Sequence, residues 1–367
     1  MELRDDPAEG ERQITNELAG ILTDGWQRLD AVFAFTVSDE AAQVILSDGE
    51  RVVPARPSAR VVELLRAHRH QCAATENGPW WRLLVSLTNT GEQSITYDYG
   101  TEPFPDEQLF PAAAYLADLQ VYPRKRLPVW LAAYVGHQGS QIRTPRTAFT
   151  QARADLADNI GAVPVTTLPP LSRLWARWAA ISAAFVAVNS PRGPRITTAV
   201  GWFEGAKHSG ATLYRLPQGR AVLSGGVWDA PELEAVYNHG GPMPRFYRGA
   251  PEWVADPVLN PRAGSGLMSF CYWWDGQGWY RGESPDPPAV RAALPGVWSA
   301  RVAADVIGQV IDAEGTDAVD LVAAAESGSA TRSLLVDALG TDRPELDGAY
   351  YQLLLAGVVA ADSARAR

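Results

Sequence analysis

The chain has 367 residues, 46% apolar and 20% charged, with 42 acids against 32 bases and a formal net charge of −10. That balance excludes wholesale disorder, and the length points to two modest domains rather than one small core. The acidity argues against nucleic-acid binding, which needs a basic face to neutralise phosphates, and leaves room for a basic protein partner.

The charge is unevenly spread. Residues 1–137 carry 20 acids and 12 bases, residues 138–299 carry 11 and 15, and residues 300–367 carry 11 and 5. Three blocks of differing sign suggest a modular chain. The start, Met1 to Asp6, is charged and leads into no apolar core, so no signal peptide is read there. The longest apolar stretches, 179–188 and 353–361, fall short of the roughly 20 residues a membrane helix needs. A cytoplasmic protein without membrane attachment is expected. Cys72 and Cys271 could pair, but so few thiols in a chain this long are more often reduced and buried.

In chain order, Ile14, Leu18, Ile21 and Leu22 recur at helical spacing and predict a first helix, ended by Gly25-Trp26. A strand is predicted over 29–37, then a hairpin about Asp48-Gly49 with flanks at 42–46 and 51–54. Ser58 is placed to cap a helix reaching His70. Residues 80–87 and 93–99 read as antiparallel strands about Asn89-Thr90-Gly91. Prolines punctuate 100–135, leaving short helices at 112–119 and 129–135.

A connector is expected over 138–170, with a polar helix near 148–159. Residues 171–188 are a helix or a strand. Strands follow at 197–203, 211–216 and 221–223, a helix starts at Pro231, and a hairpin turns at Asp275-Gly276. Helices are predicted over 298–311, 316–325, 331–339 and 344–361. The resulting fold class is α+β: two antiparallel-sheet domains, 1–137 and 171–297, with helices on one face, and a helical segment over 298–367. The hairpins 83–99 and 267–280 share a layout, so the second domain reads as a diverged copy or as an unrelated hairpin domain. Trp80-Trp81 and Trp273-Trp274 must point to opposite strand faces, so each sheet's second side needs a cover.

The common catalytic signatures are missing from the sequence: no nucleophile elbow, no phosphate loop, no His-Glu-x-x-His and no Cys-x-x-Cys. No cofactor and no metal are expected. Gly276-Gln277-Gly278 with Gly282 fits a hairpin turn better than a dinucleotide loop, because no helix follows to bind phosphate. His68 and His70 diverge on a helix, so an arrangement favouring the helix dipole is expected over a metal pair. His208 and His239 are loop histidines that could serve as general bases. Carboxylates and aromatics at Asp98, Tyr99, Glu102, Phe104, Asp106 and Glu107 follow a strand. They read either as a solvated charge run or as an acidic recognition surface with aromatic anchors.

Several strings in the first block resemble the YezG-like immunity proteins of bacterial polymorphic toxin systems, over about residues 14–135. They are Trp26 after the first helix, the helix around Val61–Leu65, and Ser94-Ile95-Thr96-Tyr97-Asp98-Tyr99-Gly100. Glu102-Pro103-Phe104-Pro105, Tyr115-Leu116-Ala117-Asp118-Leu119, Tyr122-Pro123-Arg124 and Leu127-Pro128-Val129-Trp130-Leu131 complete the set. The last stretch is similar to the actinobacterial branch. The resemblance implies a small α/β domain that binds and neutralises a cognate secreted toxin without catalysis. The expected function is therefore toxin occlusion through residues 98–107. Alternatives are a secretion chaperone for an exported effector, and an enzyme using His208 or His239.

Overall fold

The computed structural model describes residues 7–22, 25–75, 77–205, 207–312 and 317–360. The charged start at 1–6, the expected helix start at Thr316 and the expected helix end at Ala361 lie outside them. The chain divides into two compact units, Met1–Gly136 and His137–Arg367, and both are α+β with antiparallel sheets.

The first unit runs α1 (Pro7–Ala19), β1 (Arg28–Phe35), β2 (Glu40–Ser47), β3 (Val52–Ala55), α2 (Ala59–Cys72), β4 (Arg82–Thr88), β5 (Gln93–Asp98), α3 (Ala112–Val121) and α4 (Val129–Gly136). Strand order is β3-β2-β1-β4-β5. Local chemistry explains the boundaries. Asp48 Oδ1 accepts from the amides of Glu50 and Arg51, and Gly49 takes a positive φ of 95°, which closes the β2–β3 turn. Ser58 caps α2 by accepting from Val61 N at 3.2 Å. Period-two alternation in β1 and β4 sends Leu29, Ala31, Phe33, Leu83, Val85 and Leu87 to one face. Ile14 and Leu18 of α1 and Val61, Leu64 and Leu65 of α2 complete that core.

The second unit runs α5 (Pro145–Ala157), β6 (Val163–Val165), α6 (Leu171–Ala187), β7 (Arg195–Ile196), β8 (Val200–Glu204), β9 (Gly210–Leu216), β10 (Arg220–Gly226), α7 (Pro231–His239), β11 (Phe270–Trp274), β12 (Trp279–Arg281), α8 (Ala300–Ile311), α9 (Asp317–Glu326), α10 (Arg332–Leu339) and α11 (Leu346–Ala356). Its sheet order is β6-β12-β11-β10-β9-β8-β7. Residues 171–187 form a helix; the stretch is far longer than an ordinary strand and is buried along almost its whole length. Helices α8 to α11 pack around α6 into the same core as the sheet face carrying Leu213, Leu223, Phe270 and Tyr272. They are an integral layer of this unit. Arg177 ties the layer together from inside α6, with Nε 2.6 Å from Glu326 Oε1 and Nη1 donating to the carbonyls of Val297 and Trp298.

Three expectations need correction. Residues 138–170 are not a separate connector: α5 packs in the second unit and β6 is an edge strand paired with β12. Helices on one face do not complete the second unit. Val222, Cys271 and Trp273 point to the other side, under a layer of short 3₁₀ turns, loop and α5 that includes Phe246, Tyr247 and Val254. The two sheets also differ in strand order. In the first, β4 joins β1 from beyond α2, whereas β7 to β12 follow one another as a meander. The shared layout is confined to hairpins, whose local pattern any antiparallel pair adopts.

Gly276, at φ 112°, and Asp275 Oδ1, accepting from the amides of Gln277 and Gly278, make the Gly276–Gly278 stretch the β11–β12 turn. Both cysteines are free and buried. Gly225 lets the central strands close up, because a Cβ there would sit 2.3 Å from Gly210 O and 2.6 Å from the Phe270 ring. Gly225→Ala is therefore expected to destabilise the second unit by about 1–3 kcal/mol, measured as a lowered midpoint in chemical denaturation.

Candidate interaction surface

The site begins with Trp81, just before β4, which is fully buried, outside the core that Trp80 joins, and has the Arg69 guanidinium of α2 5.8 Å over its ring. Tyr115 of α3 meets its ring edge-on at 5.2 Å, and the Arg124 guanidinium sits 4.2 Å over it. Arg69 of α2 donates to Trp80 O at 2.9 Å and to Asp118 Oδ2 at 2.8 Å, a buried ion pair that ties α2 to α3.

Residues 98–111 are held by this frame. Asp98 Oδ2 accepts from Arg82 Nε at 2.8 Å, and its Oδ1 accepts from Gly100 N at 2.7 Å. Gly100 has φ 80°, and a Cβ there would approach the Phe104 ring to 3.2 Å, so glycine is required twice over. Trp130 donates to Gly100 O at 2.7 Å. Phe104 is 4% exposed, enclosed by Trp130 at 5.1 Å, Tyr115 at 6.1 Å and Arg82 at 5.0 Å. Arg82 also donates to Gln108, which in turn donates to Gln43 of β2 at 2.9 Å. Burial pushes the Tyr115 phenol up to about 12, so it stays a neutral hydrogen-bonding group, accepting from Phe110 N.

The six residues expected at the surface therefore divide. Asp98 and Phe104 face inward and anchor the segment. Tyr99 is half-buried against Tyr97 and the first core. Glu102, Asp106 and Glu107 are exposed, as are Pro103 and Pro105 between them and Pro111 beyond them. The aromatic anchors expected to meet a partner are thus structural: Phe104 is packed between Trp130, Tyr115 and Arg82. What remains outward is an acidic, proline-bearing ridge.

A groove of about 510 Å³ opens at the same end of the sheet. The register places it there: Phe35 pairs with Glu40, Ala34 with Arg82, and Arg82 with Asp98. Its walls are the β1–β2 turn at 36–40 and the side chains of Arg66, Arg69, His70 and Tyr122. Arg66 crosses to Glu40 Oε2 at 2.6 Å, and His70 Nδ1 lies 3.0 Å from the Tyr122 hydroxyl.

His68 was not recognised as a core residue from sequence. The buried face of α2 takes it inward, where Trp80 Nε1 donates to Nδ1 at 3.3 Å and Nε2 lies 3.1 Å from the Tyr97 hydroxyl. That hydroxyl donates to Glu11 of α1. The chain of bonds defines a neutral histidine with its proton on Nε2. Burial holds His68 below its ordinary pKa of 6.5, against a smaller opposing pull from Glu11, and burial raises Tyr97. A Cβ on Gly10 would lie 2.8 Å from the His68 ring, so α1 approaches this close only with glycine there. The helix-dipole arrangement expected for His68 is thus replaced by a buried network.

His208 is exposed beside the Trp228 ring at 5.0 Å. His239 is exposed, with Nε2 3.5 Å from Glu234. Neither lines the groove. Among the described residues no three His, Cys, Asp or Glu side chains group as a metal site, and no helix is long and apolar enough to cross a membrane.

Two outcomes follow. Below about pH 6.5 the unfolded chain binds a proton that native His68 resists, so its contribution to stability is complete above that pH and declines as the pH falls. Denaturant midpoints measured from about pH 7.5 to about pH 5 should fall, and His68→Gln should flatten that part of the slope. Arg82→Ala should cost about 2–3 kcal/mol, because Asp98 and Gln108 lose a charged donor at once, and hydrogen exchange should rise in 98–108.

No protein-family model matches this chain, and no curated protein matches it significantly.

Proposed function

We propose that the chain is an immunity protein, in the manner of the YezG-like family that its first block resembles, acting in the cytoplasm on a cognate toxin with a basic surface. The supporting observation is the rigid presentation of Glu102, Asp106 and Glu107. The segment bearing them is fixed by the Arg82–Asp98 pair, the Arg82–Gln108–Gln43 bonds and the buried Phe104. Carboxylates held in place before binding lose little conformational freedom on association, and an acidic patch speeds capture of a basic partner. The first block also carries most of the acid excess, 20 acids against 12 bases. Inhibition works by occlusion: the ridge covers basic groups that the toxin uses to hold its own substrate.

The test is co-expression with a candidate toxin domain taken from a neighbouring gene that encodes a large secreted protein with a variable C-terminal domain. The wild-type chain should restore growth, and its deletion should poison the producing cell. Charge reversal at Glu102, Asp106 and Glu107 together should abolish protection while circular dichroism stays unchanged. Protection that survives the triple reversal would place binding elsewhere.

A further inference from the structure

The second unit carries a surface that its own charge does not satisfy. Between Asp118 and Asp155 the sequence has no acid and six bases. Most of α5 lies in this stretch, capped by Thr144 accepting from Thr147 N; it buries Ala148 and Asp155, and exposed Asp158 follows at its C-terminal end. Asp155 accepts from Gly249 N at 2.8 Å and from Gln151 at 2.7 Å, so it is committed inward. At 100° per residue Arg146, Phe149, Arg153 and Leu156 fall within about 80° of one another, on the exposed side of the helix. Phe149 is 50% exposed and Leu156 is 81% exposed. Among the described residues neither Arg146 nor Arg153 has an ion pair, although the chain has ten more acids than bases and many of its other arginines are paired. Arg153 rests on the Phe149 ring, at 5.7 Å.

We propose that this face of α5 docks the acidic ridge of a second copy of the chain. The two surfaces are complementary twice over. Unpaired arginines meet the carboxylates of Glu102, Asp106 and Glu107. Exposed Phe149 and Leu156 meet the exposed prolines 103 and 105, which lie between Glu102 and Asp106. Arginine suits the task, since its planar fork grips carboxylates and its stem packs on apolar neighbours. The contact joins unlike surfaces, so copies associate head to tail. It covers the same ridge that the proposed function uses, and a toxin would compete with self-association. The α5 half of the contact is independent of that function.

Light scattering and sedimentation of the full chain test it. Self-association should be present at about 50 mM salt and weaken about tenfold or more at about 500 mM, as screening predicts. Arg146→Glu with Arg153→Glu should weaken it to a similar extent, and so should reversal of the three ridge carboxylates to Arg. Arg146→Gln with Arg153→Gln gives the same reading with a milder change. Each reversed protein alone should be monomeric. An equimolar mixture of the two should associate, because acidic α5 then faces a basic ridge and basic α5 an acidic one. A chain that is monomeric at low salt, an association indifferent to the α5 variants, or a mixture that stays monomeric would each overturn the proposal. Toxin protection separates the two readings: α5 variants should protect fully, and ridge variants should not. Loss of association in the ridge variant with protection intact would refute the toxin site and leave the self-contact standing.

Discussion

Adjacent tryptophans in extended chain point to opposite sides, and burying both requires a cover on each face of the sheet. Most of the architecture of the first unit follows from that constraint at Trp80-Trp81. Trp80 goes to the core under α1 and α2. Trp81 stays outside that core and is covered by Tyr115 and Arg124 from residues 100–136 and by Arg69 of α2. The second unit meets the same demand at Trp273-Trp274. Its helices cover one face and a loop-rich layer with α5 covers the other.

The acidic ridge is a by-product of the cover over Trp81. Phe104 must reach down to Tyr115 and Trp130, and the chain on either side of it is thereby lifted into solvent. Asp98 and Arg82 brace one end, and Gln108 braces the other. The string Tyr97-Asp98-Tyr99-Gly100 thus has a structural meaning. Tyr97 closes the His68 network, Asp98 holds the turn, and Gly100 supplies a positive φ beneath Trp130.

Charge is distributed with the same economy. Inward arginines are spent on buried acids or carbonyls, as at Arg69–Asp118 and Arg177–Glu326. The acidic C-terminal helices are partly neutralised within their own unit, by Arg332–Asp347 and Arg301–Asp305. Against that pattern, the two arginines of α5 that face solvent beside Phe149 and Leu156 stand out, because they form no ion pair among the described residues although Asp155 and Asp158 lie close in sequence.

Short-range chemistry by itself determined much of this. Apolar periodicity, the Ser58 cap and the Asp48-Gly49 and Asp275-Gly276 turns mark helices and strands within a few residues, and the break after the first block lies at 136–137. Those signals are local, so they can be read from neighbouring residues. Tertiary structure alone decided which side chains of one motif point in and which point out. Asp98 and Phe104 look like surface residues in a polar, proline-rich string, yet Arg82 and Trp130, 16 and 26 positions away in sequence, draw them inside. His68 looks like the end of a helix, yet Gly10, Tyr97 and Trp80 make it core. Sheet order, and with it the absence of a common topology between the two units, depends on pairing between distant strands. Nothing in the local pattern of a hairpin encodes that pairing.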